Sequence, residues 1–281
     1  MNNSGGDPQT DRSAGLTGNT TGVSKETEVL NGNEDLDGEV EQEAGQLVKR
    51  LGFRLVPLHG VIDGACSCEK GTSCSRAGKH PRIASWLERA SSSAASITFW
   101  VAQWPGLNLG LATGRQSAVV ALDIDPRNGG IEGLAALEEN YGALPLSPKS
   151  ITGGGGCHLL FRFPSGLDAL PSRLLAPGVE LKADGGLIVL PPSRHASGRQ
   201  YAWSPGVSPL EIDLPSLPAE WIDLIQGGRL VGRQEEVLVD RRRLRDRVKR
   251  AQAYLDTIPA AVEGEGGDRQ TWNAALATVR G

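Results

Sequence analysis

The chain has 281 residues, of which 39% are hydrophobic, and a formal net charge of −4; that length holds one large domain or two small ones with material for a core. No run of about 18 apolar residues is present, which excludes a predicted transmembrane helix, and the start lacks the basic-then-apolar pattern of a signal peptide. A cytoplasmic protein with no membrane partner is the expectation, and 37 glycines with 17 prolines imply many turns.

The charge is unevenly spread. The first 45 residues hold ten acids with only Arg12 and Lys25 as bases, leaving 27 bases against 23 acids in the remainder. The part expected to fold is therefore mildly basic and compatible with a polyanionic partner. Residues 1–43 are rich in Gly, Ser, Thr, Asn and acids and nearly free of apolar side chains, so they are predicted to stay disordered. Order is expected from Ala44, where Leu47, Val48 and Leu51 follow helical spacing up to Gly52.

Phe53–Leu58 then reads as a strand, a cysteine-rich loop follows, and helices are predicted at Trp86 and around Ser96–Trp104. Asn108–Ala112 and Ala118–Asp125 are apolar strands, Gly133–Tyr141 is a helix, and Cys157–Phe163, Val179–Lys182 and Leu187–Leu190 are strands. Prolines from Pro205 to Pro218 indicate an extended connection, closed by a short helix near Trp221–Ile225. Leu238–Ile258 reads as a charged helix and Asp268–Val279 as the start of another, making 236–281 a helical C-terminal segment that opens a further domain. Strands dominate the middle without βαβ alternation. The expected fold class is α+β, with mixed or antiparallel sheets flanked by helices.

Four stretches carry chemistry. Cys66, Cys68, Cys74 and His80 supply four soft or borderline ligands within fifteen residues, which suits a structural Zn²⁺; the alternative is a loop of free thiols. In Val119–Asp125 an apolar run ends in two acids. On a strand Asp123 and Asp125 share a face, roughly 7 Å apart, and two such carboxylates are costly without a partner. A hard divalent cation is the usual partner; the alternative is a turn begun by one acid and continued by Pro126, Asn128, Gly129 and Gly130.

The four glycines Gly153 to Gly156 allow close backbone approach, and their N–H groups suit a phosphate. They form neither a P-loop nor a dinucleotide fingerprint. His158 follows, either structural or a donor to a phosphate oxygen. Cys157 beside it is read as core, because adjacent strand residues face opposite ways. Glu180 and Lys182 share a strand face, either as a surface pair worth a few tenths of a kcal/mol or as a third metal carboxylate and a phosphate contact. Asp184-Gly185-Gly186 is expected to return the chain as a hairpin, and Pro191–Arg199 is a stiff, donor-rich loop. Arg241–Arg250 packs seven bases into ten residues, a solvated face or a contact for template phosphates.

The acid pair, the glycine loop ending in His158 and the Glu180 strand leading to Pro191-Pro192-Ser193 resemble, in that order, the bifunctional DNA primase/polymerase (prim-pol) family of the archaeo-eukaryotic primase superfamily. The resemblance runs from Gly52 to Trp203 and includes the Cys/His insertion before Gly78-Lys79-His80-Pro81. Two positions depart from the family pattern: Glu180 stands where Asp is usual, and Gly156 where serine is often found. The resemblance implies a two-lobed catalytic core over 44–226. It implies Mg²⁺ or Mn²⁺ on Asp123, Asp125 and Glu180. His158 and Lys182, with Gly155, Gly156, Ser193, Arg127 and His195, would attend the nucleotide; for His195 and Arg199 the alternative is a loop in water.

The expected activity is template-dependent nucleotidyl transfer, a DNA primase or polymerase taking dNTP or NTP on a single-stranded DNA template or primer. A helicase region or other replication partner would accompany it. Two rivals remain: a two-metal phosphodiesterase or nuclease, which usually needs more than the four histidines here, and a non-catalytic DNA-binding replication module. A dinucleotide-dependent oxidoreductase is disfavoured, because no GxGxxG precedes Asp123.

Overall fold

Helix α1 (Gly32–Leu51) opens the part of the chain that the computed structural model describes, residues 32–227. Leu36, Val40, Ala44, Leu47 and Val48 are buried at the spacing that lines one face of an α-helix. Lys49 and Arg50 sit in the last turn, where the helix dipole favours them. Gly52, at φ 66°, ends the helix as a left-handed cap whose N–H donates to the Val48 carbonyl at 3.0 Å.

This corrects the expectation of disorder up to residue 43. Asp37, Glu39, Glu41 and Glu43, which contribute to that composition, lie off the buried face of α1, and three of them hold it down. Asp37 accepts from the Gly106 N–H at 2.7 Å, Glu41 from the Thr98 hydroxyl, and Glu43 from the Trp203 indole at 2.7 Å. Residues 1–31 and 228–281, with the predicted C-terminal helices and the Arg241–Arg250 run, lie outside the described residues.

After α1 come β1 (Leu55–Leu58), β2 (Val61–Ile62), β3 (Ala65–Cys66), α2 (Trp86–Arg89), α3 (Ala94–Gln103), β4 (Asn108–Ala112) and β5 (Val119–Ile124). The second half holds α4 (Gly130–Tyr141), β6 (Lys149–Ile151), β7 (Cys157–Arg162), β8 (Arg173–Ala176), β9 (Val179–Lys182), β10 (Leu187–Leu190), β11 (Ala202–Trp203) and α5 (Ala219–Ile225). A three-stranded sheet has the order β1-β4-β10, a six-stranded sheet the order β11-β6-β7-β5-β9-β8, and β2 pairs with β3. Every ladder between these strands is antiparallel.

Strand β5 is the wall between two cores. Val119 and Ala121 pack with α1, α3 and the three-stranded sheet; Val120 and Leu122 pack with Trp221 and Leu224 of α5. Burial on both faces explains why its sequence is continuously apolar rather than alternating. Asp123 continues the Val119–Ala121 face where the strand leaves the core. Helix α4 starts just beyond it: a Cβ on Gly130 would stand 2.6 Å from the Gly178 carbonyl oxygen, and one on Gly133 2.3 Å from that of Pro177. The helix therefore rests directly on the β8–β9 turn, beside Asp125.

The expected hairpin at Asp184-Gly185-Gly186 is not formed. Strand β9 belongs to the six-stranded sheet and β10 to the three-stranded one, so this segment crosses between sheets. Asp184 accepts the Arg115 N–H on one oxygen and the Leu170 N–H on the other, both at 2.9 Å. A Cβ on Gly186 would stand 2.4 Å from Thr113 Oγ1. These restraints come from distant residues, which local turn chemistry does not reveal. The hairpin partner of β9 is β8, through Pro177-Gly178.

Candidate active site

Antiparallel register assembles the site. Asp123 on β5 lies opposite His158 on β7 and opposite Glu180 on β9. Opposed residues share a face, with Cβ atoms roughly 4.5–5.5 Å apart. The row continues to Ser150 on β6, the cross-strand partner of His158. Pairing makes Glu180 the immediate cross-strand neighbour of Asp123. Its carboxylate meets Lys182 Nζ at 2.7 Å, while His158 Nε2 stands 3.7 Å from Asp123 Oδ1, beyond hydrogen-bond range.

Asp125 is engaged differently. One of its oxygens accepts from the Arg127 backbone N–H at 3.0 Å and from Arg127 Nε at 3.2 Å; the other accepts from Arg127 Nη2 at 3.2 Å and Asn128 Nδ2 at 2.9 Å. The Arg127 hydrogen bonds hold this carboxyl below the usual carboxylate range, against the opposing effect of partial burial. Asp125 thus takes up the turn alternative, since its side chain caps the turn at Pro126–Asn128.

His158 is buried, and burial pushes its pKa below the ordinary 6.5; the Asp123 carboxylate opposes this, while Lys182 and Lys79 add to it. Its Nδ1 and the Ser150 hydroxyl are buried without a hydrogen-bond partner among the described residues. The unfolded chain takes up this proton below about pH 6.5, whereas the buried ring resists it. The contribution of His158 to stability is therefore complete above pH 6.5 and falls as pH drops towards its folded pKa. Urea midpoints measured between about pH 7 and pH 5.5 should decline less in a His158→Asn variant than in the parent; parallel declines would refute this.

The row forms part of the lining of an open cleft of about 460 Å³, with Asp125, Arg127 and Lys182 around it. Arg76, Lys79 and Tyr201 also line it; the sequence reading missed all three, although Gly78-Lys79-His80-Pro81 was in view as context for a metal ligand. Ser193 is not in the lining. It is fully buried, and its Oγ accepts the Leu109 N–H at 2.8 Å, so the structure makes it a tie to β4 rather than a nucleotide contact. The ring of His195 sits behind the glycine loop, where a Cβ on Gly153 would come within 2.2 Å of His195 Cβ. Its Nδ1 accepts the Ser197 N–H at 3.1 Å, and burial lowers its pKa, with Lys79, Arg127 and Arg199 contributing.

The glycine loop differs from expectation in its chemistry. Gly155 donates its N–H to the Thr152 carbonyl at 2.9 Å and Gly156 to Thr152 Oγ1 at 3.0 Å, so neither N–H is presented to a phosphate. What the glycines provide is closeness: a Cβ on Gly156 would stand 2.3 Å from the Ile124 carbonyl oxygen. Cys157 is core as expected, with burial pushing its thiol up to about 11, which excludes a thiolate nucleophile near neutral pH.

The Cys/His set is gathered. The ligand atoms of Cys66, Cys68, Cys74 and His80 all lie within 4.8 Å of one another, and His80 Nε2 stands 3.4 Å from Cys66 Sγ and 3.6 Å from Cys74 Sγ. A tetrahedral zinc site with its usual bond lengths has S···N edges of about 3.5 Å, so these residues fit such a metal. Around them the His59 ring stacks on His80 at 4.4 Å, and the Ser67 hydroxyl accepts from Arg82 Nη2 at 2.7 Å and from the Gly60 N–H at 3.0 Å. Asp123, Asp125 and Glu180 are not drawn together as tightly; among the described residues the Cys/His set alone forms such a group. Asp123 and Glu180 nonetheless offer adjacent, partly exposed oxygen donors, the kind that Mg²⁺ and Mn²⁺ take.

No helix among the described residues is long and apolar enough to cross a membrane. No curated protein matches the chain. The family model for the N-terminal domain of bifunctional DNA primase/polymerases matches residues 44–220, a span that contains the whole carboxylate–histidine row, the glycine loop and the Cys/His cluster. With more than half its length matched, the chain belongs to the bifunctional DNA primase/polymerase family.

Proposed function

We propose that the domain is a template-dependent nucleotidyltransferase that makes or extends primers on single-stranded DNA, using dNTP or NTP. The observation that carries this reading is the in-register row His158–Asp123–Glu180 in the lining of a cleft that also holds Arg76, Lys79, Arg127 and Lys182. Acids for a cation and bases for a polyphosphate face the same space.

Asp123 and Glu180 would hold Mg²⁺ or Mn²⁺, with Asp125 as the third carboxylate. Such cations lower the pKa of an attacking 3′-hydroxyl and neutralise charge on leaving pyrophosphate. Lys182 and Arg127 place positive charge where phosphate oxygens would lie. His158, neutral because it is buried, offers a hydrogen bond without the cost of burying a charge. The glycine loop keeps that wall free of side chains, and Zn²⁺ at the Cys/His cluster would brace the segment that carries Arg76 and Lys79. The three-stranded and six-stranded sheets would be the two lobes of the core. The basic C-terminal segment and a helicase or other replication partner would extend it, in the cytoplasm, where clustered thiols suit a metal.

The deciding experiment incubates the protein with primed and unprimed single-stranded templates, all nucleotides and Mn²⁺ or Mg²⁺, beside an Asp123→Ala/Asp125→Ala variant. Product from the parent and none from the variant is expected. Shortening of the DNA would replace this reading with a nuclease, and tight, salt-sensitive binding without either reaction would leave a DNA-binding module.

A further inference from the structure

We propose that the Cys/His loop is part of the nucleotide site: Lys79 contacts the triphosphate, and the metal at the cluster sets triphosphate affinity by fixing the backbone on which Lys79 stands. This rests on the nucleotidyltransferase reading and adds to it a coupling between the two metal-binding regions of the fold.

Four cationic side chains line the cleft, and they differ in availability. Arg127 is bound to Asp125, and Lys182 is paired with Glu180 at 2.7 Å. Among the described residues, Arg76 and Lys79 have no carboxylate partner, although both line the cleft. A phosphate reaching Arg127 or Lys182 must displace or share an existing carboxylate; at Lys79 it displaces only water. Lys79 also lines the cleft together with His158, and it is close enough to His158 and His195 to disfavour protonation of both rings.

The backbone on either side of Lys79 is held by different devices. On one side Gly78 has φ 74°, and a Cβ there would stand 2.8 Å from both Asn108 Nδ2 and Val61 Cγ2. The Gly78 carbonyl accepts from Asn108 Nδ2 at 2.9 Å. Asn108 is fully buried at the start of β4; it also donates to the Arg194 carbonyl at 2.7 Å and accepts the Arg194 N–H at 2.9 Å. On the other side His80 belongs to the metal cluster, and its carbonyl accepts the His59 N–H at 3.0 Å. The N–H of Lys79 donates to the Arg76 carbonyl, also at 3.0 Å. Remove the metal and one of the two anchors is lost, so Lys79 spreads over more positions and binds a phosphate less well.

Calorimetric titration with dATP and Mg²⁺, without template, tests this on the full chain, with dAMP as the probe that lacks the outer phosphates. Lys79→Ala should weaken dATP binding about tenfold, the loss of one charge-assisted contact, and leave dAMP binding unchanged; Lys79→Arg should recover part of it. Cys74→Ser, with its zinc content measured, should reproduce the deficit, and adding Lys79→Ala to it should cost nothing more. Lys79 is exposed, so its substitution does not threaten folding. Unchanged dATP affinity in Lys79→Ala would overturn the proposal while the nucleotidyltransferase reading stands. Losses that multiply in the double variant would overturn the coupling. Failure of the parent to bind dATP at all would remove both readings.

Discussion

Asp123→Asn should reduce nucleotide incorporation by about 10³-fold or more, equivalent to about 4 kcal/mol of transition-state stabilisation, while the protein melts as before. The position explains both halves of that expectation. Asp123 stands in the middle of the row, opposed by His158 and Glu180, so its carboxylate lies between the other two polar side chains. Asparagine keeps the shape and removes that charge. The side chain is about one-third exposed and lies near the end of β5, so the core of the strand is untouched. Single-turnover extension of a primed template with Mn²⁺, read beside a thermal melt, measures both quantities. A variant within tenfold of the parent would remove Asp123 from the centre of the reaction.

Truncation gives the second large effect. Removing residues 1–43 should lower the melting temperature by on the order of 10 °C relative to a chain that begins at Gly32. The additional cut takes Leu36 and Val40, both buried, each contributing roughly 1.5–3 kcal/mol. It also takes the hydrogen bonds of Asp37 to Gly106, Glu41 to Thr98 and Glu43 to Trp203. A loss of about 4 kcal/mol is a large share of the 5–15 kcal/mol that a domain typically has. Disorder up to residue 43, as the composition implied, predicts no difference between the two chains. Melting temperatures within about 2 °C of each other would favour that expectation and remove α1 from the stable core.

Much of the architecture is legible locally. Strands β4 and β10 have the bounds that their apolar runs predict, because a strand buried on both faces is apolar along its length, and β9 has the bounds that its apolar–polar alternation predicts. Strands β6, β8 and β11 were not anticipated: each exists because a neighbouring strand offers hydrogen bonds. The first part of helix α1, before Ala44, was obscured by averaging, since Leu36 and Val40 stand there among six acids.

The site divides along the same line. The sequence by itself determined which side chains offer charge and donor atoms: Asp123, Asp125, His158, Glu180 and Lys182 are visible as motifs, and so is the Cys66–His80 set, because strand alternation and ligand spacing are local properties. Only the tertiary structure decided their relations. Register places Glu180 beside Asp123, and the hydrogen bond to Leu109 of β4 withdraws Ser193 from the cleft. Packing of the Cys/His loop against Asn108 delivers Arg76 and Lys79 to the same space. Each of these depends on contacts between residues far apart in the chain, whose distances are set by how sheets and loops pack rather than by any spacing along the sequence.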